Sequence, residues 1–271
     1  MDHRPIGVFD SGLGGLTAVR ELASRMPQEN IIYFGDTGRV PYGSRGRETI
    51  TKYARQDVAF LRTFDLKAVV IACGTVSSTA LDALRQEQDI PVFGVVEPTA
   101  VRAVELTRNN RIGLIATRAT ISTGAYERVI WANAPRAQIF PAACPLFVPL
   151  VENGRTQPGD VVIETVVRDY LSPLKEAGVD VLVLGCTHYP LLREVIANFM
   201  GPEVALVDSG AEVAHQVGRW LEEHDQLAPA EQKGASRWYV SDAQADFREL
   251  ATRFLGRPVT EPVGKVDIEK Y

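Results

Sequence analysis

Val69-Val70-Ile71-Ala72-Cys73-Gly74-Thr75 and Val181-Leu182-Val183-Leu184-Gly185-Cys186-Thr187 follow one pattern, a short apolar run that ends in cysteine followed by threonine. Runs this short, rich in valine and closed by glycine, read as strands buried on both faces of a parallel sheet. Outward from them, Ile6-Gly7-Val8-Phe9 opens the first half of the chain and Ile112-Gly113-Leu114-Ile115 opens the second, at nearly the same distance ahead of its cysteine. Two copies of one unit follow, each with a thiol at the end of the corresponding strand. Further apolar runs at 31–34, 92–95, 138–140, 205–207 and 238–241 alternate with segments of helical period at 15–24, 47–63, 76–87, 99–107, 120–132, 158–177, 190–200, 211–223 and 243–255. That alternation predicts an α/β fold of two pseudo-symmetric domains, each a mostly parallel sheet flanked by helices, with the active site in the cleft between them.

A second echo places the domain boundary. Val8-Phe9-Asp10-Ser11-Gly12 is answered by Leu206-Val207-Asp208-Ser209-Gly210, so the chain is expected to return to its first domain there. The expected division is residues 1–97 plus 208–271 against 98–207. The tail from Gly256, with Pro258, Pro262 and Gly264, has no clear period and is expected to be a surface strap.

With 45% hydrophobic and 23% charged residues among 271, the chain can bury a full core without staples. Its net charge of −5, without a Lys/Arg run, argues against nucleic acid as a partner. Met1-Asp2-His3-Arg4-Pro5 leads directly into Ile6, which leaves no room for a signal peptide. The longest apolar stretches fall well short of the roughly 20 residues that cross a bilayer, so no membrane partner is expected. Three widely spaced cysteines make a disulfide framework improbable and point to reduced thiols in a cytoplasmic protein.

The expected strand ends are unusually polar: Asp10-Ser11-Gly12, Cys73-Gly74-Thr75, Thr117 to Thr120, Cys186-Thr187-His188 and Asp208-Ser209-Gly210. Ligands bind beyond such ends in open α/β sheets, and hydroxyls beside helix starts can hold anions without a lysine. A small molecule with two carboxylates fits this arrangement. His188 can share a proton with Cys186 from the same turn, while Glu152, an acid in an apolar run, needs a partner such as His188. Asp10 and Asp208 are equally readable as helix caps. Pro41-Tyr42-Gly43 reads as a turn, and Asp36 and Arg39 as solvated loop residues. Cys144 reads as core filling.

Other chemistries lack their motifs. Gly12-Leu13-Gly14-Gly15 matches the dinucleotide fingerprint only in part, Thr17 standing where its last glycine belongs. A phosphate-loop lysine, a Cys-x-x-Cys pair, a zinc helix and a strand-end lysine for pyridoxal are all missing, so no cofactor and no metal are expected. Two opposed thiols can take a proton from one face of a carbon and return one to the other, which a single fixed base cannot do.

Three runs then carry a family resemblance. Ile6-Gly7-Val8-Phe9-Asp10-Ser11-Gly12-Leu13-Gly14-Gly15-Leu16-Thr17, Tyr33-Phe34-Gly35-Asp36 with Val40-Pro41-Tyr42-Gly43, and Gly185-Cys186-Thr187-His188-Tyr189-Pro190-Leu191 closely resemble bacterial glutamate racemase. The resemblance spans nearly the whole chain. It implies cofactor-independent interconversion of L- and D-glutamate, a supply of D-glutamate for peptidoglycan, a cytoplasmic homodimer, and Cys73 and Cys186 as the acid/base pair. It further implies that Asp10, His188 and Glu152 assist catalysis. Around the substrate it places Asp10, Ser11, Pro41, Tyr42, Gly43, Gly74, Thr75, Thr187 and His188, with Thr117 and Thr120 in reach. One position departs from the family: its usual Cys-Asn-Thr reads Cys73-Gly74-Thr75 here, without the asparagine side chain that helps hold the substrate. Two other functions stay open at this point, a racemase for aspartate or another amino acid of the same superfamily, and an amino-acid-binding module without turnover.

Overall fold

The computed structural model describes residues 1–242 and 247–271. Its strands are β1 (Ile6–Asp10), β2 (Ile31–Gly35), β3 (Ala68–Ile71), β4 (Val92–Gly94), β5 (Arg111–Ala116), β6 (Gln138–Ala143), β7 (Val181–Leu184), β8 (Ala205–Asp208), β9 (Ser236–Val240) and β10 (Val263–Lys265). The helices are α1 (Leu16–Arg25), α2 (Arg47–Leu61), α3 (Gly74–Thr79), α4 (Leu81–Glu87), α5 (Val96–Leu106), α6 (Arg118–Thr123), α7 (Ala125–Asn133), α8 (Phe147–Glu152), α9 (Val161–Glu176), α10 (Arg193–Met200), α11 (Ser209–Glu223) and α12 (Phe247–Leu255).

All strand pairings are parallel, in two sheets of order β10-β9-β2-β1-β3-β4 and β6-β5-β7-β8. The run β2-β1-β3-β4 in the first sheet repeats as β6-β5-β7-β8 in the second. Register repeats as well: Ile6 pairs with Ala68, and Ile112 with Val181. Counted from those pairs, Cys73 and Cys186 occupy the same place, just past the ends of β3 and β7. Both strands are buried along their whole length, as parallel strands covered by helices on two faces must be.

The helices that follow the last strand of each four-strand run change partners. After β4, α5 packs on α7 and against β7 and β8 of the second sheet; after β8, α11 packs along α1, over the first. These exchanged helices also touch each other, tying the sheets together away from the cysteines.

Several expectations give way. The helix expected over 76–87 begins earlier, at Gly74, and breaks at Ala80. The one expected over 120–132 breaks at Gly124, whose φ of 63° is the left-handed conformation glycine adopts without steric cost. The tail expected to be a strap instead adds β10 to the edge of the first sheet. Helix α8 was absent from the periodicity reading, because only Phe147 and Val151 of its six residues are buried, which is too few to show a period. The first four positions of the helix expected over 243–255 lie outside the described residues.

Candidate active site

The ends of β1, β3, β5 and β7 converge on one cavity of about 610 Å3. Of the residues singled out in the sequence, Ser11, Pro41, Tyr42, Gly43, Cys73, Gly74, Thr75, Thr117, Glu152, Cys186, Thr187 and His188 line it. Among the described residues its wall does not include Asp10 or Thr120, both buried one layer behind, nor the Asp208-Ser209-Gly210 turn. Asp208 is instead the cap of α11, its carboxylate accepting from Gly210 N–H at 2.8 Å. Asp10 caps no helix. Gly15 occupies that position for α1, and the Asp10 carboxylate accepts from Gly12 N–H at 3.1 Å, which shapes the glycine-rich turn. The other Asp10 oxygen is buried without a hydrogen-bond partner among the described residues.

The two thiols sit in opposite fields. The Cys73 thiol, 5% exposed, donates to the Ser11 hydroxyl at 3.3 Å; burial and the neighbouring Asp10 carboxylate push it up to about 12. Cys186 lies 3.9 Å from His188 Nδ1, and His188 Nε2 lies 3.1 Å from Glu152 on α8. Burial opposes charge on the ring, but hydrogen bonds to Cys186 and Glu152 outweigh it and lift His188 to about 10. The Asp10 carboxyl, itself raised by burial, therefore stands behind Cys73 and a cationic ring beside Cys186. Cys144 is buried in the core, and its sulfur lies 3.7 Å from the Ala142 carbonyl.

Hydroxyls join the two halves across the cavity. Thr75 Oγ1 is 3.1 Å from Thr117 Oγ1, which in turn is 3.0 Å from Thr120 Oγ1. Thr17 Oγ1 donates to the Thr187 carbonyl at 3.0 Å. The glycine-rich turn serves the same closeness: a Cβ on Gly14 would stand 2.5 Å from His188 Nδ1. Its partial likeness to a dinucleotide loop thus comes from packing against the second sheet's turn.

Asp36 and Arg39, expected in solvent, are instead the support of the Pro41-Tyr42-Gly43 wall. Arg39 pairs with Asp36 at 2.6 Å, with the wholly buried Asp57 at 3.0 Å and with Glu269 at 3.2 Å. It also lies 4.1 Å over the Tyr53 ring. The Tyr42 hydroxyl donates to Asp36, with Asp57 at 3.2 Å. Burial, with the Asp36 charge, holds the Asp57 carboxyl well above the usual range.

Sequence reasoning missed Arg118, Val40, Ser44, Pro145, Leu146, Val148 and Pro149, all in the wall. Arg118 was legible in principle, since it directly follows Thr117. Pro145, Leu146, Val148 and Pro149 come from α8 and the loop before it, so they were hidden with that helix. A larger recess, about 1190 Å3 and lined by Arg45, Arg47, Arg85 and Arg128 among others, holds neither cysteine nor histidine.

Two like parallel sheets, each presenting a thiol to one cavity, define a two-sheet α/β protein with a shared cleft at its strand ends. The Asp/Glu/Hydantoin racemase family model matches residues 12–217, and the chain belongs to that family, as an amino-acid racemase and hence an isomerase. It is 48% identical over 256 residues to a glutamate racemase of Geobacter metallireducens, covering 94% of each chain. The glutamate racemase of Bacillus anthracis superposes with a TM-score of 0.93 at 35% identity, covering 98% of both chains. That of Francisella tularensis, solved with D-glutamate, gives 0.92 at 37% identity over 100% of both. Among the described residues no helix is long and apolar enough to cross a membrane.

Proposed function

We propose that this chain interconverts L- and D-glutamate with Cys73 and Cys186 as the two bases. The observation that carries the reading is the matched register of the cysteines at the ends of β3 and β7, both in the wall of one cavity. Cys73, buried beside Asp10, keeps its proton at neutral pH and is the resting acid. The base toward the other face is then Cys186, with cationic His188, steadied by Glu152, as the group that shares its proton. Once the α-proton has moved to Cys186, Cys73 delivers its own from the opposite side, and the roles are exchanged for the reverse direction. Loss of a weakly acidic α-proton demands stabilisation of the carbanion by groups already aimed at the carboxylate. Ser11, Thr75, Thr117 and Thr187 supply hydroxyls for this, and Arg118 a fixed positive charge. Glutamate as substrate is supported by the likeness to glutamate racemases, one of them solved with D-glutamate.

The remaining expectations belong to the same proposal. The domains divide at 1–97 plus 208–271 and 98–207, supported by the passage of the chain from β8 into α11. Asp10 acts from behind the wall through its charge on Cys73 and His188, and Thr120 through Thr117. The protein works as a cytoplasmic homodimer and supplies D-glutamate for peptidoglycan. Light scattering at twice the chain mass, and a deletion strain that grows only with added D-glutamate, would check those two points. The direct test is incubation of each glutamate enantiomer in D2O without cofactor. Deuterium at the α-carbon and a common racemic end point are expected; tight binding with neither would refute the proposal.

A further inference from the structure

Three glycines on the first-sheet side meet the second-sheet side around the cavity. Gly14 faces the side chains of Thr187 and His188, Gly43 faces the side chain of Thr117, and Gly74 faces backbone. A Cβ on Gly74 would stand 2.5 Å from the Gly185 carbonyl oxygen and 3.5 Å from its carbon, with Thr120 Oγ1 at 3.9 Å. Side chains can turn aside; this carbonyl cannot. Gly185 N–H is held by Ile115 O at 2.8 Å in the second sheet's ladder, and a Cβ on Gly185 would itself lie 3.0 Å from that oxygen. On the other side Ala72 N–H is held by Phe9 O at 2.9 Å, and Ser77 N–H by Cys73 O at 2.9 Å. Each turn is fixed in its own sheet, so a side chain at 74 is accommodated only by moving the turns apart.

We infer that Gly74 is a positioning residue for inversion: lacking a side chain, it seats the Cys73 turn against the Cys186 turn and sets the gap across which both thiols face one α-carbon. The inference rests on the racemase reading. It reverses the meaning of the departure from Cys-Asn-Thr. Were Gly74 only a missing hydrogen-bond donor, asparagine there would strengthen substrate binding. By the geometry, asparagine or alanine parts the thiols by a sizeable fraction of an ångström, and a misplacement of about 1 Å can cost on the order of 100-fold in rate.

The distinguishing readout comes from the chemistry. A thiolate that removes the α-proton, exchanges with solvent and finds no acid across the gap returns a deuteron to the face it left. The product is the starting enantiomer, labelled. Gly74→Ala and Gly74→Asn are therefore compared with the unaltered chain in D2O, each enantiomer separately, by NMR for α-deuterium and by chiral chromatography for inversion, with thermal unfolding to confirm folding. The expected result is inversion lowered about 100-fold, mostly in kcat rather than KM, and a ratio of exchange to inversion raised at least ~10-fold, since one face of the carbon keeps its base. If Gly74→Asn does not fold, the single added carbon of Gly74→Ala carries the test. Parallel loss of exchange and inversion would overturn the inference, as would inversion by Gly74→Asn at or above the unaltered rate. An unaltered chain that neither exchanges nor inverts glutamate is a separate result, which removes the functional reading and this inference with it.

Discussion

Replacing His188 by asparagine should remove a pH dependence of stability that this one ring creates. His188 has an ordinary value of 6.5 and is raised to about 10 in the fold, against the cost of burial, by Cys186 and Glu152. Between those values the folded chain holds a proton that the unfolded chain has released. Stability from this group is therefore complete below about pH 6.5 and is lost as pH rises through about 10, at roughly 1.4 kcal/mol per unit. Cys73, raised from 9.0 to about 12, acts in the same direction but only above pH 9. From pH 7 to 9 His188 acts without it, and the expected fall is roughly 2–3 kcal/mol. Urea unfolding at pH 7, 8 and 9 measures it, as a downward slope for the unaltered chain that is clearly reduced in His188→Asn. Glu152, with a side chain 46% exposed, is partly screened, so Glu152→Gln should narrow the window rather than close it. A flat profile for the unaltered chain, or an undiminished slope in His188→Asn, would refute the reasoning.

Arg39→Leu takes the guanidinium away from the buried Asp36 and Asp57 carboxyls, and removing one partner of such a buried group costs about 3–5 kcal/mol. Chemical denaturation should show that loss, with partial recovery on adding Asp57→Asn; a loss under about 1 kcal/mol would mean that the network bears no stability. Asp10→Asn removes the carboxylate behind Cys73, so the pH midpoint for alkylation of that thiol should fall below about 12 while burial keeps it above the ordinary value; an unmoved midpoint would separate the two residues. Cys144→Ala trims a small buried side chain at a cost of about 1 kcal/mol and should leave racemisation within about twofold of the unaltered rate, as read by polarimetry.

The fold was legible where the chain repeats itself. Each strand placed by its apolar run is present, and the signal is most continuous in β1, β2, β3 and β7, which are buried along their whole length. Strand β10 escaped because Val263–Lys265 is a three-residue edge strand whose place is set by pairing with β9, a contact distant in sequence. Helix α8 escaped because it is six residues long and buries only Phe147 and Val151, with Val148 and Pro149 turned to the cavity, so no helical period shows. The echo between Asp10 and Asp208 was real as sequence but not as symmetry: one ends β1 and shapes the glycine-rich turn, the other ends β8 and caps α11. The candidate site was legible at the strand ends. What stands behind them was not, since the burial of Asp36, Arg39 and Asp57 depends on Glu269 and Tyr53, brought together only by the fold.

In the proposed mechanism one thiol serves each face of the α-carbon. Cys73→Ser and Cys186→Ser, each given L- and then D-glutamate in D2O, test it most directly, with inversion and α-deuterium followed together. Each single substitution should lower inversion by at least about 100-fold in both directions, because one face has lost its proton carrier. Full racemisation by either variant would contradict it.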